Sequence, residues 1–246
     1  MRCWTVGEID EFTGSPLVRP DFGREERKGM PEVILAESKS IEQAMSIAQH
    51  HLAENERAIL SRVSPGLAAR LRQMAGSEIE LEWYEHARAA VLRRPAGRPK
   101  PTGGRVGLIS AGTSDIPIAE EAMLMAREMG CEVYPVYDVG VAGLHRLFKP
   151  LEHLLTKVDV DVIIVAAGMD GALPSVVSGL VPVPVIGLPI SVGYGLGGKG
   201  IAALYGMLQT CSPGLAVVNI DNGIGAGAIA GMIANRAARF RMVRED

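Results

Sequence analysis

The stretch LQTCSPGLAVVNIDNG, residues 208–223, sets Cys211 where a helical pattern gives way to a strand pattern, and follows it with Asp221 and Asn222. An ionised thiol is both a good nucleophile and a good leaving group, which suits reversible covalent catalysis. Two carboxylates stand in glycine-rich surroundings: Asp170 between Gly168 and Gly171 in AAGMDGALPS, and Asp115 in SAGTSDIPIAEEA. Burial in a crevice raises a carboxylate's pKa and fits it for proton transfer. Asp138, with His145 and Arg146 about two helical turns further on, supplies an acid, an imidazole and a guanidinium that could surround an anion.

Each of these residues has a plainer use. Cys211 sits at a helix C-terminus, whose negative partial charge does not by itself lower a thiol pKa, and unpaired cysteines are among the most buried residue types. Asp170 suits the cap of a short helix starting near Pro174. Ser114 or Asp115 suits the cap of a helix with Pro117 in its first turn, and His145 a half-buried helix position. Local physics alone favours the inert cysteine and the capping aspartate.

The elements that must position these groups follow from the apolar pattern. Beyond residue 104, continuously apolar runs recur at VGLIS (106–110), EVYPV (132–136), VDVIIVAAG (160–168), PVIGLP (184–189) and GLAVVNI (214–220), alternating with helical segments. Such strands are buried on both faces, so the expected architecture is an α/β domain with a doubly wound parallel sheet. Ligands bind these sheets beyond the carboxyl ends of the strands. The loops there all contain glycine, which allows backbone N–H groups to approach a ligand. They nominate Gly112, Thr113, Ser114 and Asp115; Gly168 and Met169; Gly193, Tyr194 and Gly195; and Asp221 and Asn222 as ligand-binding positions. GYGLGGKG, residues 193–200, holds five glycines and Lys199 before a helix, and reads as a phosphate or carboxylate cradle that also serves as a flexible lid. It lacks the GK[ST] ending of a Walker loop.

Before that domain, PEVILA (31–36), RAILSRV (57–63) and EIELEWY (78–84) read as strands. One helix is expected from Ser40, with Gln43 completing a capping box, and another from Ser64 and Pro65 to near Gly76. The Pro-, Gly- and base-rich RRPAGRPKPTGGR makes residues 93–104 a linker between a small α/β domain (1–92) and a catalytic α/β domain (105–246). His50 and His51 are adjacent and so cannot share a helix face as a metal pair would; they and His86 read as surface residues.

Composition narrows the classes. At 246 residues and 48% hydrophobic content the chain buries a sizeable core, and a net charge of -3 gives no general attraction to nucleic acid or anionic membranes. Three cysteines, Cys3, Cys131 and Cys211, with neither zinc spacing nor even pairing, fit a reducing cytoplasm. The N-terminus carries no apolar run of signal-peptide length. No metal-ligand motif stands out, so the metal ligands are unknown, and Mg2+ would arrive with the phosphates of a substrate.

Taken together, AGTSDIPIAEEA, YDVGVAGLHRL, AAGMDGALPSVVSGLVPVPVIGLPISVGYG and TCSPGLAVVNIDNGIGAG resemble the LarB family of nickel-pincer-nucleotide cofactor biosynthesis, the pyridinium-3,5-biscarboxylic acid mononucleotide synthases. DFGREERKGMPEVILAESKS is similar to that family's first domain, so the likeness runs from about residue 18 through nearly the whole chain. AGTSD, ALPSVVSGLVPVPVIGLP and PGLAVVNI are more distantly similar to aminoimidazole ribonucleotide carboxylase and mutase, which implies that enzyme's fold.

The resemblance implies carboxylation of the pyridinium ring of nicotinic acid adenine dinucleotide at C5, with carbon dioxide or bicarbonate as co-substrate, and hydrolysis of the phosphoanhydride to release AMP. It implies Cys211 as nucleophile, Asp170 as the acid where the family usually has Glu, and Asp115, Thr113 and Ser114 as ribose and phosphate contacts. Asp138 and His145 match by type only. The purine enzymes carry Ser-Ala-His-Arg and a second His before Leu-Pro; this chain has VAGLHR and Ala172-Leu173-Pro174. The purine enzymes are octamers, which implies a homo-oligomer here. The alternatives are a purine carboxylase or mutase and a non-catalytic nucleotide-binding module.

Overall fold

The computed structural model describes residues 20–242. Cys3, and residues 18 and 19 at the start of the expected likeness, lie outside the described residues.

The chain opens with α1 (Arg24–Lys28), β1 (Val33–Leu35), α2 (Ile41–Glu54), β2 (Arg57–Ser61), α3 (Pro65–Met74), β3 (Glu80–Tyr84) and β4 (Ala89–Arg93). These strands form one sheet in the order β1-β2-β4-β3, with β1 parallel to β2 and the other pairs antiparallel. Ser40 and Gln43 form the expected capping box at α2, and the Ser64 hydroxyl caps α3 ahead of Pro65. Ala44, Ala48 and Leu52 of α2 and Leu67 and Leu71 of α3 cover one sheet face.

Three expectations need correction. β4 lies outside the expected strands: AAVLR carries two alanines, poor strand formers, and it is burial of all five residues that places it in the sheet. Arg93, expected to open the linker, ends β4 and is buried. His51 is not a surface residue; it is 3% exposed, edge-on to Phe22 and 3.6 Å from Glu32, and burial pushes its pKa down.

The second sheet contains β5 (Arg105–Ser110), β6 (Glu132–Val136), β7 (Val162–Ala167), β8 (Val185–Pro189) and β9 (Leu215–Val217) in the order β6-β5-β7-β8-β9, every pair parallel. It is wound on both faces by α4 (Ile116–Glu128), α5 (His145–His153), α6 (Ala172–Ser178), α7 (Ile201–Leu208) and α8 (Gly223–Met242). Val106, Leu108, Val162, Ile164 and Leu188 pack with Ala119, Ala122, Ala226 and Ala230 of α4 and α8. Ile109, Ile163, Val165 and Val185 pack on the other face with Leu147, Leu151, Leu173 and Met207 of α5, α6 and α7. Burial on both faces is why these strands read as unbroken apolar runs.

The two sheets meet. Ile59, Ala89 and Val91 of the first join the apolar cluster under α4. Glu128, 2% exposed, accepts from Arg57 Nη1 and Arg93 Nη2, each at 3.1 Å. The connecting segment is packed: the Thr102 hydroxyl donates to Asn235 Oδ1 of α8 at 2.6 Å. Among the described residues no helix is long and apolar enough to cross a membrane.

Candidate active site

The loops at the carboxyl ends of the second sheet are fastened to one another from edge to edge. Asp138 N–H, after β6, donates to Ser110 Oγ at the end of β5 (3.3 Å). The Asp115 carboxylate, after β5, accepts from Gly112 N at 2.7 Å and, across to the β7 loop, from Gly168 N at 3.1 Å. Met169 N–H donates to Val192 O of the β8 loop at 3.4 Å. Ser191 N–H donates to Asp221 Oδ1, after β9, at 2.8 Å.

Glycines permit this closeness. A side chain at Gly168 would bring Cβ to 2.4 Å from Val192 O, and one at Gly140 to 2.7 Å from Ala111 O. Asp138, Met169 and Asp221 adopt positive φ without being glycine, a disfavoured backbone conformation that collects at functional sites.

The candidate residues divide by what their side chains do. Asp115 is 3% exposed, with both oxygens on backbone N–H groups; burial, opposed by those bonds, raises its pKa. It is therefore turned inward as a loop fastener and does not present a free carboxylate to a ribose. Thr113, Ser114, Gly193, Tyr194 and Gly195 are exposed on the rim. Asp170 is exposed and its Oδ1 accepts from Ala172 N at 3.2 Å in an Asx turn just ahead of α6, whose N-cap is Gly171. Asn222 Oδ1 accepts from Gly225 N at 2.9 Å in the first turn of α8. Asp138 is ion-paired with Arg146 at 2.7 Å, and His145 is the exposed first residue of α5.

Cys211, also a candidate, does not lie in these loops. It is exposed, whereas Cys131 is buried. It follows α7, which leads from the carboxyl end of β8 back to the amino end of β9, where Leu215 pairs with Val185. A Cβ on Gly179, the C-cap of α6, would lie 3.4 Å from Ser212 Oγ, so residues 211–212 sit at the far end of α6 from Asp170. The eight residues of α7, about 12 Å long, separate Cys211 from the glycine-rich loop 190–200, while the Asp170 main chain packs beside Gly206 near the end of that helix. Cys211 thus precedes the amino end of β9, whereas Asp221 and Asn222 follow its carboxyl end.

Two residues the sequence did not single out complete the loop cluster. Arg62, just after β2, donates to the main-chain oxygen of Asp221 at 2.9 Å. Glu121 of α4, 2% exposed, accepts from Ser61 Oγ at 2.6 Å and from Arg62 Nε at 3.4 Å; burial raises its pKa against both partners. A strand-end arginine and a helical glutamate carry no local signal, because their pairing depends on how the two sheets dock. Among the described residues no group of three His, Cys, Asp or Glu side chains could hold a metal ion.

Comparison with known proteins places this architecture. The AIR carboxylase profile matches residues 105–242, and a LarB/PurE-like N-terminal domain profile matches residues 12–94. An uncharacterized protein of Methanocaldococcus jannaschii is 41% identical over 216 residues, covering 87% of this chain and 82% of its own. An N5-carboxyaminoimidazole ribonucleotide mutase of the same organism is 34% identical over 125 residues, 50% of this chain and 74% of its own. The mutase of Thermotoga maritima is 29% identical over 136 residues, 52% of this chain and 74% of its own. With more than half of its length matched, parallel second sheet included, the chain belongs to the AIR carboxylase family.

Proposed function

We propose that the protein carboxylates the pyridinium ring of nicotinic acid adenine dinucleotide at C5 and hydrolyses its phosphoanhydride, giving pyridinium-3,5-biscarboxylic acid mononucleotide and AMP. The observation that carries this reading is the exposed thiol of Cys211 in a chain whose site loops carry Ala172 where the purine enzymes place an imidazole. The match to a LarB/PurE-like first domain supports it.

A pyridinium carbon is electron-poor and does not attack carbon dioxide. Addition of the Cys211 thiolate at C4 makes the ring a dihydropyridine whose C5 is an enamine carbon and nucleophilic. C5 then bonds to carbon dioxide. Removal of the C5 proton by a carboxylate, for which Asp170 is the candidate, sends the electron pair back into the ring and expels the thiolate. Water cleaves the phosphoanhydride. Mg2+ would come bound to the substrate's phosphates.

In this reading a second copy of the chain brings its Cys211 thiol to a ring held by the loops. Ile201, Tyr205 and Leu208 line one exposed face of α7 that ends three residues before Cys211, an apolar stripe suited to another chain of the same kind in a cytoplasmic homo-oligomer.

The deciding experiment incubates the protein with nicotinic acid adenine dinucleotide, bicarbonate and magnesium and looks by mass spectrometry for the biscarboxylate mononucleotide and AMP. Absence of any product one carboxyl heavier sinks the proposal. The mutase relatives favour a second reading, carboxyl transfer on aminoimidazole ribonucleotide, and conversion of that nucleotide in a parallel assay would establish it instead.

A further inference from the structure

The N-terminal sheet reaches the loop cluster through one side chain. Arg62 has φ +55° and spreads its guanidinium over three acceptors: Asp221 O at 2.9 Å, Glu37 Oε2 at 3.2 Å and Glu121 Oε1 at 3.4 Å. Asp221 has φ +54°; its own N–H donates to Pro189 O at 2.9 Å, and its carboxylate receives Ser191 N–H at 2.8 Å. Arg62 thus holds the Asp221 turn by its carbonyl while Ser191 holds it by its carboxylate. Two non-glycine residues in the left-handed region, bonded to each other across a domain junction, keep that conformation only because the surroundings impose it.

We infer that Arg62 is a positioning residue: it fixes the Asp221 turn and, through Ser191, the glycine-rich loop 190–200, so that the N-terminal unit presets the ligand-binding surface of the other unit. The catalytic meaning of this inference rests on the reading of those loops as the dinucleotide site.

Three observations separate this role from simple docking. The junction is already secured by Glu128 between Arg57 and Arg93 and by the shared apolar cluster under α4. Arg62 is instead half-buried at the edge of a cavity of about 250 Å³ lined by Val33, Leu35, Ser61, Glu121 and Asn222, so it fills no packed core position. Its contacts also demand a fork. Lysine would keep the charge beside Glu121 but, as a single point donor, would not span Glu121 and the Asp221 carbonyl together.

Hydrogen exchange read by mass spectrometry on the full chain tests the inference, comparing wild type, Arg62→Ala, Arg62→Lys and Arg94→Ala. Arg94 bonds Leu52 O and Glu56 within its own unit and is the control. In Arg62→Ala, peptides covering 190–200 and 218–224 should exchange at least about tenfold faster, as expected when one charge-assisted hydrogen bond is lost, while the rest of the chain keeps wild-type rates. Arg62→Lys should fall between, and Arg94→Ala should leave the loops unchanged. In turnover assays the KM for nicotinic acid adenine dinucleotide should rise with loop exchange.

Unchanged loops, or an acceleration spread evenly over both units, would overturn the inference. Should Arg62→Ala fail to fold, Arg62→Lys is judged by the same criterion. A wild-type protein inactive on the dinucleotide would remove the catalytic reading and leave the exchange result to decide the positioning role.

Discussion

The Asp115 carboxylate, borne on the loop after β5, receives the Gly168 N–H of the loop after β7 at 3.1 Å while its other oxygen receives Gly112 N–H at 2.7 Å. Asp115→Asn replaces one acceptor by a donor facing a backbone N–H. The expected cost is about 2 kcal/mol, the penalty for leaving a buried donor unsatisfied. Urea unfolding checks it, and a cost near zero would mean that the loops relax around the amide.

Gly168→Ala tests the same junction by steric means. Its Cβ would meet Val192 O at 2.4 Å, and the obstacle is backbone, so the β7 and β8 loops must part. Both stability and ligand affinity should fall, by at least about 1 kcal/mol in unfolding experiments. Gly76→Ala, whose new Cβ would meet no atom within 4 Å and whose backbone φ is not positive, is the matched control and should change neither.

Much of this was legible in sequence, and for identifiable reasons. Val106, Ile109, Ile163 and Ile186 belong to strands buried on both faces, and unbroken apolar runs between glycines are a local signal. Ser40–Gln43 and Ser64–Pro65 are equally local. β4 was hidden because Ala89 and Ala90 owe their strand state to neighbours β2 and β3. The loops could be named from topology, but the inward turn of Asp115 and the grip of Arg62 on Asp221 join residues 53 and 159 positions apart in sequence, which no spacing rule reports. The remoteness of Cys211 was readable in principle: a residue between a helix and the next parallel strand lies at the amino edge of the sheet.

Glu128 gives a signed pH prediction. Burial raises its pKa, and Arg93 and Arg57 oppose the rise without cancelling it. The folded chain then binds this proton more tightly than the unfolded one, so the stability it contributes is full below about pH 4.3, the unfolded value. That contribution is lost as pH rises through the folded value. The cost of Glu128→Gln, whose side chain does not titrate, should therefore be smaller at pH 7.5 than at pH 4.5. Urea unfolding at the two pH values measures it, and a cost that grows with pH would show that the arginines outweigh burial.

The two described cysteines should separate in reactivity. Burial pushes the Cys131 thiol up to about 11, and its sulfur lies 3.1 Å from Asn235 Oδ1, whereas Cys211 is exposed. Iodoacetamide at neutral pH should label Cys211 rapidly and Cys131 only after unfolding. Peptide mapping keeps Cys3 apart. Alkylation of Cys211 should abolish carboxylation, and a fully alkylated, fully active protein would remove the thiol from the mechanism.

If, as proposed, a neighbouring chain brings Cys211 to these loops, the thiol and the loop carboxylate should complement one another between chains. Two inactive variants probe this. Cys211→Ser removes the proposed nucleophile, and Asp170→Asn removes the proposed base while its Oδ1 still accepts from Ala172 N–H, so the turn ahead of α6 is kept. Each homo-oligomer should bind the dinucleotide and fail to carboxylate it. Co-expressed in equal amounts, the two chains should assemble some sites with a wild-type sulfur from one copy and a wild-type carboxylate from its neighbour, restoring roughly a quarter of wild-type turnover on random mixing. Mixed oligomers that stay inactive, with both chains shown to be present, would place the two groups in the service of one chain and require a rearrangement of α7 that carries Cys211 across the sheet.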